Sequence, residues 1–534
     1  MLIHFVIVPI LVAVFLYLFP LERAARIIAC FVQAGILALA FYLFYATRET
    51  DLSVVLGPNE GFMAIMLRAD AISSVFILLT AFIFLIVTLY SVSDDNSRMF
   101  WMLLFIWEGI LLGIFLTGDL FNIFVLTEVS TITVSVLIMY YRDKRSMYDG
   151  LIYLMINLVV VQFYLLGLGY FYRVVGFMDM QAAGYAIANI DSRQLILPYA
   201  FMMTFVALKC ALLPLYSWLP KAHSTPGATP VVSAVLSGLH IKGGVYLFLR
   251  FQELFGGTED GIYTGSFFLI LGLATAVFGI IMALVQRDIK RILAYSTIAQ
   301  IGLIIAGLNI GGEYNRIGSL FHSVNHAVIK SALFLSAGMI SHHYNTRDIE
   351  KIRGVFKTMP VVAVVSVLAI LGMVGSPGFN ASISKYFLMH GVSGPLNIIL
   401  ILINLGTIMV FIRYARMLFG PDSGSLKIKK ARSDLWKEAP LAVLGLMCFM
   451  LGVFGPYFIS YLFGWAARVD FAGYLEKSAI FVASTVAGFF ILKYAIKGQA
   501  ASTRIREFDL GFRGMCAAMG VFFGLVLVVA GLAG

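Results

Sequence analysis

Charge is what this sequence has least of. Asp, Glu, Lys and Arg make up only 12% of its 534 residues, against 61% hydrophobic residues, and the mean hydropathy is +0.94. A soluble domain carries roughly 25% charged residues. This chain cannot clothe a water-facing surface, which excludes soluble, disordered and fibrous classes. Cysteine is scarce too: Cys30, Cys210, Cys448 and Cys516 lie in or beside apolar runs, with no CxxC spacing. They read as small buried hydrophobes, forming neither a disulfide framework nor a metal site. No GxGxxG and no Walker loop is present, so no cofactor is expected, and the short polar gaps leave no room for a soluble catalytic domain. The net charge of +10 invites a nucleic-acid partner. Its basic residues, however, stand in short gaps between apolar runs, where they report orientation in a lipid bilayer instead.

What the sequence has in abundance is apolar length. A membrane helix needs about 20 apolar residues. By that measure the chain is an all-α polytopic membrane protein of about 14–16 spans. They fall near 2–20, 24–46, 71–92, 99–118, 119–141, 148–172, 196–219, 231–251, 265–286, 291–310, 317–341, 360–391, 396–418, 439–463, 478–496 and 516–533. The overlong span 360–391 contains Ser376-Pro377-Gly378 and is expected to split into two half-helices. The first span is as long as a signal peptide but lacks a basic start and a cleavage site, so it reads as a membrane helix. Lys and Arg gather in the gaps after odd-numbered spans, among them Arg142, Lys144, Arg145, Lys221, Arg287, Lys290, Arg347, Lys427, Lys429, Lys430 and Arg504. Those gaps are predicted to be cytoplasmic, with both termini outside a cell inner (cytoplasmic) membrane.

Six ionisable residues fall near the middle of spans or beside a break: Glu108, Glu128, Lys209, Lys242, Lys330 and Lys385. A charge at a helix centre costs roughly 2.5–3.5 kcal/mol on insertion scales, so these groups must pair, lose their charge or face water. Structural ion pairing is the plain reading for any one of them. Two glutamates cannot neutralise four lysines, however, so some lysines are expected to be neutral and able to take up and release a proton. Pro214 removes the helical bond to the Cys210 carbonyl just after Lys209, and Lys385 follows Pro377 by two turns. Both halves of the chain therefore place a lysine near a break, a recurring device in transporters. His322, His326 and Lys330, spaced i, i+4, i+8, share one helix face and suggest a proton relay; a pair of core histidines is the alternative. His240 and Lys242 are roughly 200° apart around a helix and cannot both face one pathway. Lys242 is the favoured member, and His240 is left open as structural or functional. Glu108 either packs against a hydroxyl or a lysine, or is an additional proton carrier.

These residues sit in motifs. Thr117-Gly118-Asp119-Leu120-Phe121-Asn122-Ile123-Phe124-Val125, followed by Glu128, resembles the corresponding segment of the Mrp antiporters' D-type subunits. Lys209 followed by Pro214-Leu-Tyr-Ser-Trp218-Leu-Pro220-Lys-Ala-His223 resembles a broken seventh helix shared by the antiporter-like subunits of respiratory complex I, Mrp-type antiporters and membrane-bound hydrogenases. Arg287-Asp288-Ile-Lys290-Arg291-Ile-Leu-Ala294-Tyr295-Ser296 and Phe321-His322-Ser-Val-Asn-His326-Ala-Val-Ile-Lys330 are similar to further signatures of that family. The resemblance runs from about residue 70 to 420.

It implies two inverted five-helix repeats with a broken helix in each. The chain would divide into N-terminal helices (1–98), a first repeat (99–252), a second repeat (265–420) and a C-terminal extension (421–534). It also implies that Glu128 pairs with Lys209 and tunes its proton affinity. Lys242 would pass protons on, His322, His326 and Lys330 would continue the row, and Lys385 would be the terminal site. Departures are the missing paired prolines around Pro377, Ala381 where glycine is common, Glu108, and two extra spans after residue 465. The function implied is a proton-translocating subunit, not catalytic by itself, whose partners are other membrane subunits of a redox-driven complex. The alternative is a subunit of an Mrp-type Na⁺(K⁺)/H⁺ antiporter without a redox partner. A scaffold that merely anchors an enzyme would have no need of midplane lysines.

Overall fold

The computed structural model describes residues 1–19, 22–57, 64–256, 261–420, 432–494, 506 and 508–533, whose regular elements are helices apart from one hairpin. The loop residues Lys427, Lys429, Lys430 and Arg504 lie outside the described residues. The N-terminal part comprises α1 (His4–Leu18), α2 (Glu22–Ala46), strands β1 (Leu52–Leu56) and β2 (Ile65–Ala69), and α3 (Ala71–Ser91). Then come α4 (Arg98–Leu116), α5 (Leu120–Ile138), α6 (Lys144–Val175), α7 (Met180–Ile187), α8 (Ser192–Lys209), α9 (Trp218–Ser224), α10 (Pro230–Val235), a π turn (Leu236–His240) and α11 (Ile241–Gly256). They are followed by α12 (Gly265–Val285), α13 (Ile289–Leu308), α14 (Glu313–His343), α15 (Val355–Thr358), α16 (Pro360–Val374), α17 (Asn380–Leu388) and α18 (Gly394–Ala415). The last are α19 (Leu435–Val453), α20 (Gly455–Phe463), α21 (Phe471–Tyr494) and α22 (Phe512–Ala533).

Among the described residues, 13 helices are long and apolar enough to cross a membrane. Three expected spans fall short: 2–20, where α1 is only 15 residues long, 196–219 and 360–391. The 196–219 span stops at Lys209, where Ala211 turns left-handed (φ 51°) ahead of Pro214, and resumes at Trp218. The 360–391 span splits as expected, between Gly375 (φ 79°) and Gly378 (φ 81°), where an L side chain would be strained. The 439–463 span, expected to be continuous, divides at Phe454 because Pro456 cannot continue the α19 hydrogen-bond ladder.

Aspartates start many of these helices. Asp119, Asp143, Asp179 and Asp288 each accept a hydrogen bond from the first turn, and Asp70 forms a capping box with Ser73. Burial pushes the Asp70 carboxyl up, but the Arg250 charge and the Ser73 N–H outweigh it, and the group stays below its ordinary range. Two of these caps also carry the same backbone stitch. Asp119 bridges to Asp179, with Leu120 N donating to Met178 O (2.9 Å) and Met180 N to Gly118 O (2.8 Å). Asp288 bridges to Asp348, with Ile289 N donating to Arg347 O (2.8 Å) and Ile349 N to Arg287 O (3.0 Å).

Ion pairs join distant loops at each end of the bundle. One end is basic and holds Arg26–Asp95, Lys437–Asp94, Lys221–Asp509 and Arg413–Glu350. The other holds the β1–β2 hairpin, Arg250–Asp70 and Arg316–Glu253. Enclosure is uneven. The apolar windows of Pro230–Gly256 and α14 are 100% and 94% buried inside the protein, against 11% for α21. The two most enclosed segments are those carrying Lys242, His322, His326 and Lys330. In the C-terminal extension, α21 packs on α18, while α22 packs on α6 and α8.

Candidate functional site

Lys209 is the last residue of α8, placed at the helix end by the break rather than at a helix centre. Its ammonium donates to Asn157 Oδ1 on α6 (2.8 Å) and Thr131 Oγ1 on α5 (3.2 Å). Glu128 lies within electrostatic range of Lys209 but makes no ion pair with it, and its Oε2 is buried without a hydrogen-bond partner. The pairing suggested by the family resemblance is therefore through space in this conformation. Beside Lys209 is a cavity of about 10 Å³ lined by Ser130, His240 and Gly244 among others, the size of a single water at most. His240 is held there by Trp107 Nε1, Ser130 Oγ and Tyr153 OH, all at 3.4 Å.

Lys242 points the other way. Its Nζ lies 2.5 Å from His326 Nδ1 and donates to Ser237 O (2.9 Å), a carbonyl of the π turn, whose widened ladder loosens the ordinary i→i−4 bonding. His240 and Lys242 do face apart around the helix, yet each still meets a titratable neighbourhood. Facing apart, the two side chains address successive neighbours, the Lys209 cavity and the α14 histidines.

On α14, one turn before His326, His322 hydrogen-bonds through Nδ1 to Ser384 Oγ and through Nε2 to Gln300 Oε1, both at 2.9 Å. Ser384 is the chain neighbour of Lys385. Lys385 reaches back over its break: Nζ donates to Met373 O in the last turn of α16 (3.0 Å) and to Asn404 Oδ1 on α18 (2.8 Å). The lysine thus satisfies a helix-end carbonyl that the break leaves bare, at the negative end of the helix dipole. It borders a cavity of about 330 Å³ whose lining includes Asp470, Glu476 and Lys477. Lys330 departs from the stripe expected of it. Its Nζ turns to Leu293 O (2.8 Å) and Ser296 Oγ on α13, away from His322 and His326. Glu108 is brought to none of these groups; its hydrogen-bond partner is Gln33 of α2.

The sequence reading missed Thr131, Asn157, Gln300, Ser384 and Asn404. A signal for two of them was present: Ile156-Asn157-Leu158 and Ile403-Asn404-Leu405 place the same tripeptide, an amide between aliphatic residues, in the middle of two spans.

A family model described as NADH:quinone oxidoreductase/Mrp antiporter, TM, matches residues 117–412, which contain Glu128, Lys209, His240, Lys242, His322, His326, Lys330 and Lys385. The chain belongs to this family. Among antiporter-family relatives, it is 31% identical to the N-type subunit of the NADH-quinone oxidoreductase of Desulforudis audaxviator over 422 residues, 74% of this chain and 83% of the relative. It is 29% identical to the D-type subunit of the Na(+)/H(+) antiporter of Alkalihalophilus pseudofirmus over 393 residues, 72% and 79% of the two chains. Its fold is similar to a chain of the Mrp complex from Dietzia sp. (TM-score 0.78, 22% identity, 90% of this chain and 99% of that one). It is also similar to a chain of the membrane-bound sulfane sulfur reductase, an archaeal respiratory membrane complex (TM-score 0.79, 21% identity, 91% and 99%). The protein is an antiporter-like, multi-pass membrane protein.

Proposed function

We propose that this chain moves protons, as one subunit of a multi-subunit membrane complex, along the row Lys209, His240, Lys242, His326, His322 and Lys385. Glu128 modulates the entrance, and Lys330 forms a side branch towards α13. The observation that carries this reading is the continuity of the second half of the row. Lys242 touches His326, His322 follows one turn away, and His322 is bonded to Ser384 beside Lys385. A static ion-pair lattice would join opposite charges, whereas this row joins lysines to histidines, which can carry a proton, and to amides and carbonyls, which accept hydrogen bonds without a counter-charge that pins it. Lys385, beside the larger cavity, is the exchange site for the end of the bundle opposite the basic one. The duplicated aspartate stitch, once at each end, supports two inverted repeats around this row. The bias of Lys and Arg towards one set of loops supports a cytoplasmic position for that end, with both termini outside.

The experiment is proton uptake by proteoliposomes containing the assembled complex. Lys242→Met should abolish uptake with assembly intact, and normal uptake would sink the row. Orientation is tested separately: a cysteine at Ser97 should need a membrane-permeant label, and one at Ser393 should not. A second reading, a subunit of a Na⁺(K⁺)/H⁺ antiporter driven by the proton gradient alone, is supported by the antiporter relative from Alkalihalophilus pseudofirmus. The two readings differ in partners, so purifying the native complex and identifying its subunits separates them.

A further inference from the structure

Glu108 is a fully buried acid that lies outside this row. It follows Trp107, whose indole contacts His240, and neighbours on a helix point about 100° apart, so Glu108 looks away from the row and towards α2. There it meets Gln33, set in a stripe with Ala29, Ile36 and Ala40 on an otherwise lipid-facing helix; neither Glu108 nor Gln33 has any exposed surface. Gln33 Nε2 donates to Glu108 Oε2 at 2.5 Å. The remaining oxygens, Glu108 Oε1 and Gln33 Oε1, are both buried and without a partner.

Among the described residues, no charge comes to the carboxyl's aid from the elements around α4. His4 stands at the exposed start of α1, Arg68 of β2 is paired with Asp51, and Arg250 of α11 with Asp70. Lys242 is engaged with His326, α3 carries no charged side chain, and Glu128 of α5 is itself an acid. On α2, Arg26 is paired with Asp95 at the basic end.

A carboxylate is an acceptor only, so an ionised Glu108 would leave two bare acceptor oxygens in one dry contact. A single proton resolves both. With hydrogen on Oε1, Glu108 donates to Gln33 Oε1 while Gln33 Nε2 donates to Glu108 Oε2, closing a cyclic acid–amide pair. Exchanging the amide's oxygen and nitrogen changes nothing, since one proton is still required and still suffices. We infer that Glu108 is a resident proton site: it holds one proton throughout turnover and, with Gln33, forms a neutral clasp that fastens α2 to α4 outside the transport row.

The test is infrared difference spectroscopy of the complete complex in its membrane, native against Glu108→Gln, with proton uptake measured in parallel. Glu108→Gln should remove one protonated-carboxyl C=O band that is present at every pH from about 5 to 9, and should leave uptake within about twofold, since an amide pair replaces the acid–amide pair. Gln33→Leu should shift the same band upwards in frequency by stripping its hydrogen bonds. The inference is overturned if Glu108→Gln removes a carboxylate band instead, if the band titrates in that pH range, if it does not move in Gln33→Leu, or if assembled Glu108→Gln complex loses uptake. The last two outcomes leave the row tested by Lys242→Met untouched.

Discussion

The two broken helices that carry a lysine solve one problem in two ways. At each break a lysine ammonium is met at 2.8 Å by the side-chain oxygen of an asparagine from a neighbouring helix, Asn157 for Lys209 and Asn404 for Lys385. Beyond that they diverge. Lys209 precedes its break, with room for at most one water beside it, and the gap is closed by protein: Trp218 Nε1 donates to Leu208 O (2.9 Å) and Leu213 N to Thr275 Oγ1 (3.1 Å). Lys385 follows its break, caps a carbonyl across it, and borders a cavity of about 330 Å³. The C-terminal extension touches both. Tyr474 OH accepts from Gly378 N (3.2 Å) and bonds Ser382 Oγ (2.6 Å) at the second break. Asp509 accepts from Ser217 (2.6 Å) and Lys221 (2.9 Å) just beyond the first. The difference teaches that a lysine at a helix break is not one device. Enclosed, it answers to neighbouring charge, and beside a cavity it can exchange with water.

The largest expected effect breaks the comparison at its open end. Lys385→Ala should abolish proton uptake in the assembled complex, while Lys385→Glu keeps part of it. Normal uptake in Lys385→Ala would move the terminal site to Lys330. At the closed end, Glu128→Gln should reduce uptake severely with assembly preserved, because Lys209 loses a carboxylate acting on it through space. Near-native pumping would show that Lys209 does not answer to that charge.

The asparagines sharpen the contrast. Asn157→Leu should lower uptake by about 10-fold or more, the scale of one hydrogen bond to a charged group. Asn404→Leu should cost much less, because the cavity beside Lys385 has room for water to replace the amide. Equal losses would mean that the cavity does not hydrate Lys385. The smallest effect is expected from Asp509→Asn. Asp509 is half exposed, and such a pair is worth about 1 kcal/mol or less, so uptake should change by less than about 2-fold and a thermal unfolding midpoint only slightly. A large loss would make the extension part of the transport machinery.

The particular residues show where legibility ended. The lysines and histidines of the proposed row stand out in the sequence, because an ionisable group in an apolar span is costly, with His240 alone left open there. Asn157 and Asn404 passed unnoticed, since an amide in a span costs less and its partner lies on another helix, 52 positions away for Asn157. The direction of Lys330 was misread for a related reason. Helical spacing places a residue on a face, but Leu293 O and Ser296 Oγ on α13 decide where its long, flexible stem goes.

What the sequence determined by itself was the solvent. With 12% charged residues and apolar runs of membrane length, no fold other than a helical bundle in lipid can satisfy this backbone. It also determined the two breaks, since proline and glycine act on their own chain within a turn. Only the tertiary structure decided which groups meet. The distance from Glu128 to Lys209, the opposite headings of His240 and Lys242, the cavity beside Lys385 and the bond between Gln33 and Glu108 depend on how helices distant in sequence pack. Side-chain contacts across helices reach only a few ångströms, and no periodicity along the chain encodes them.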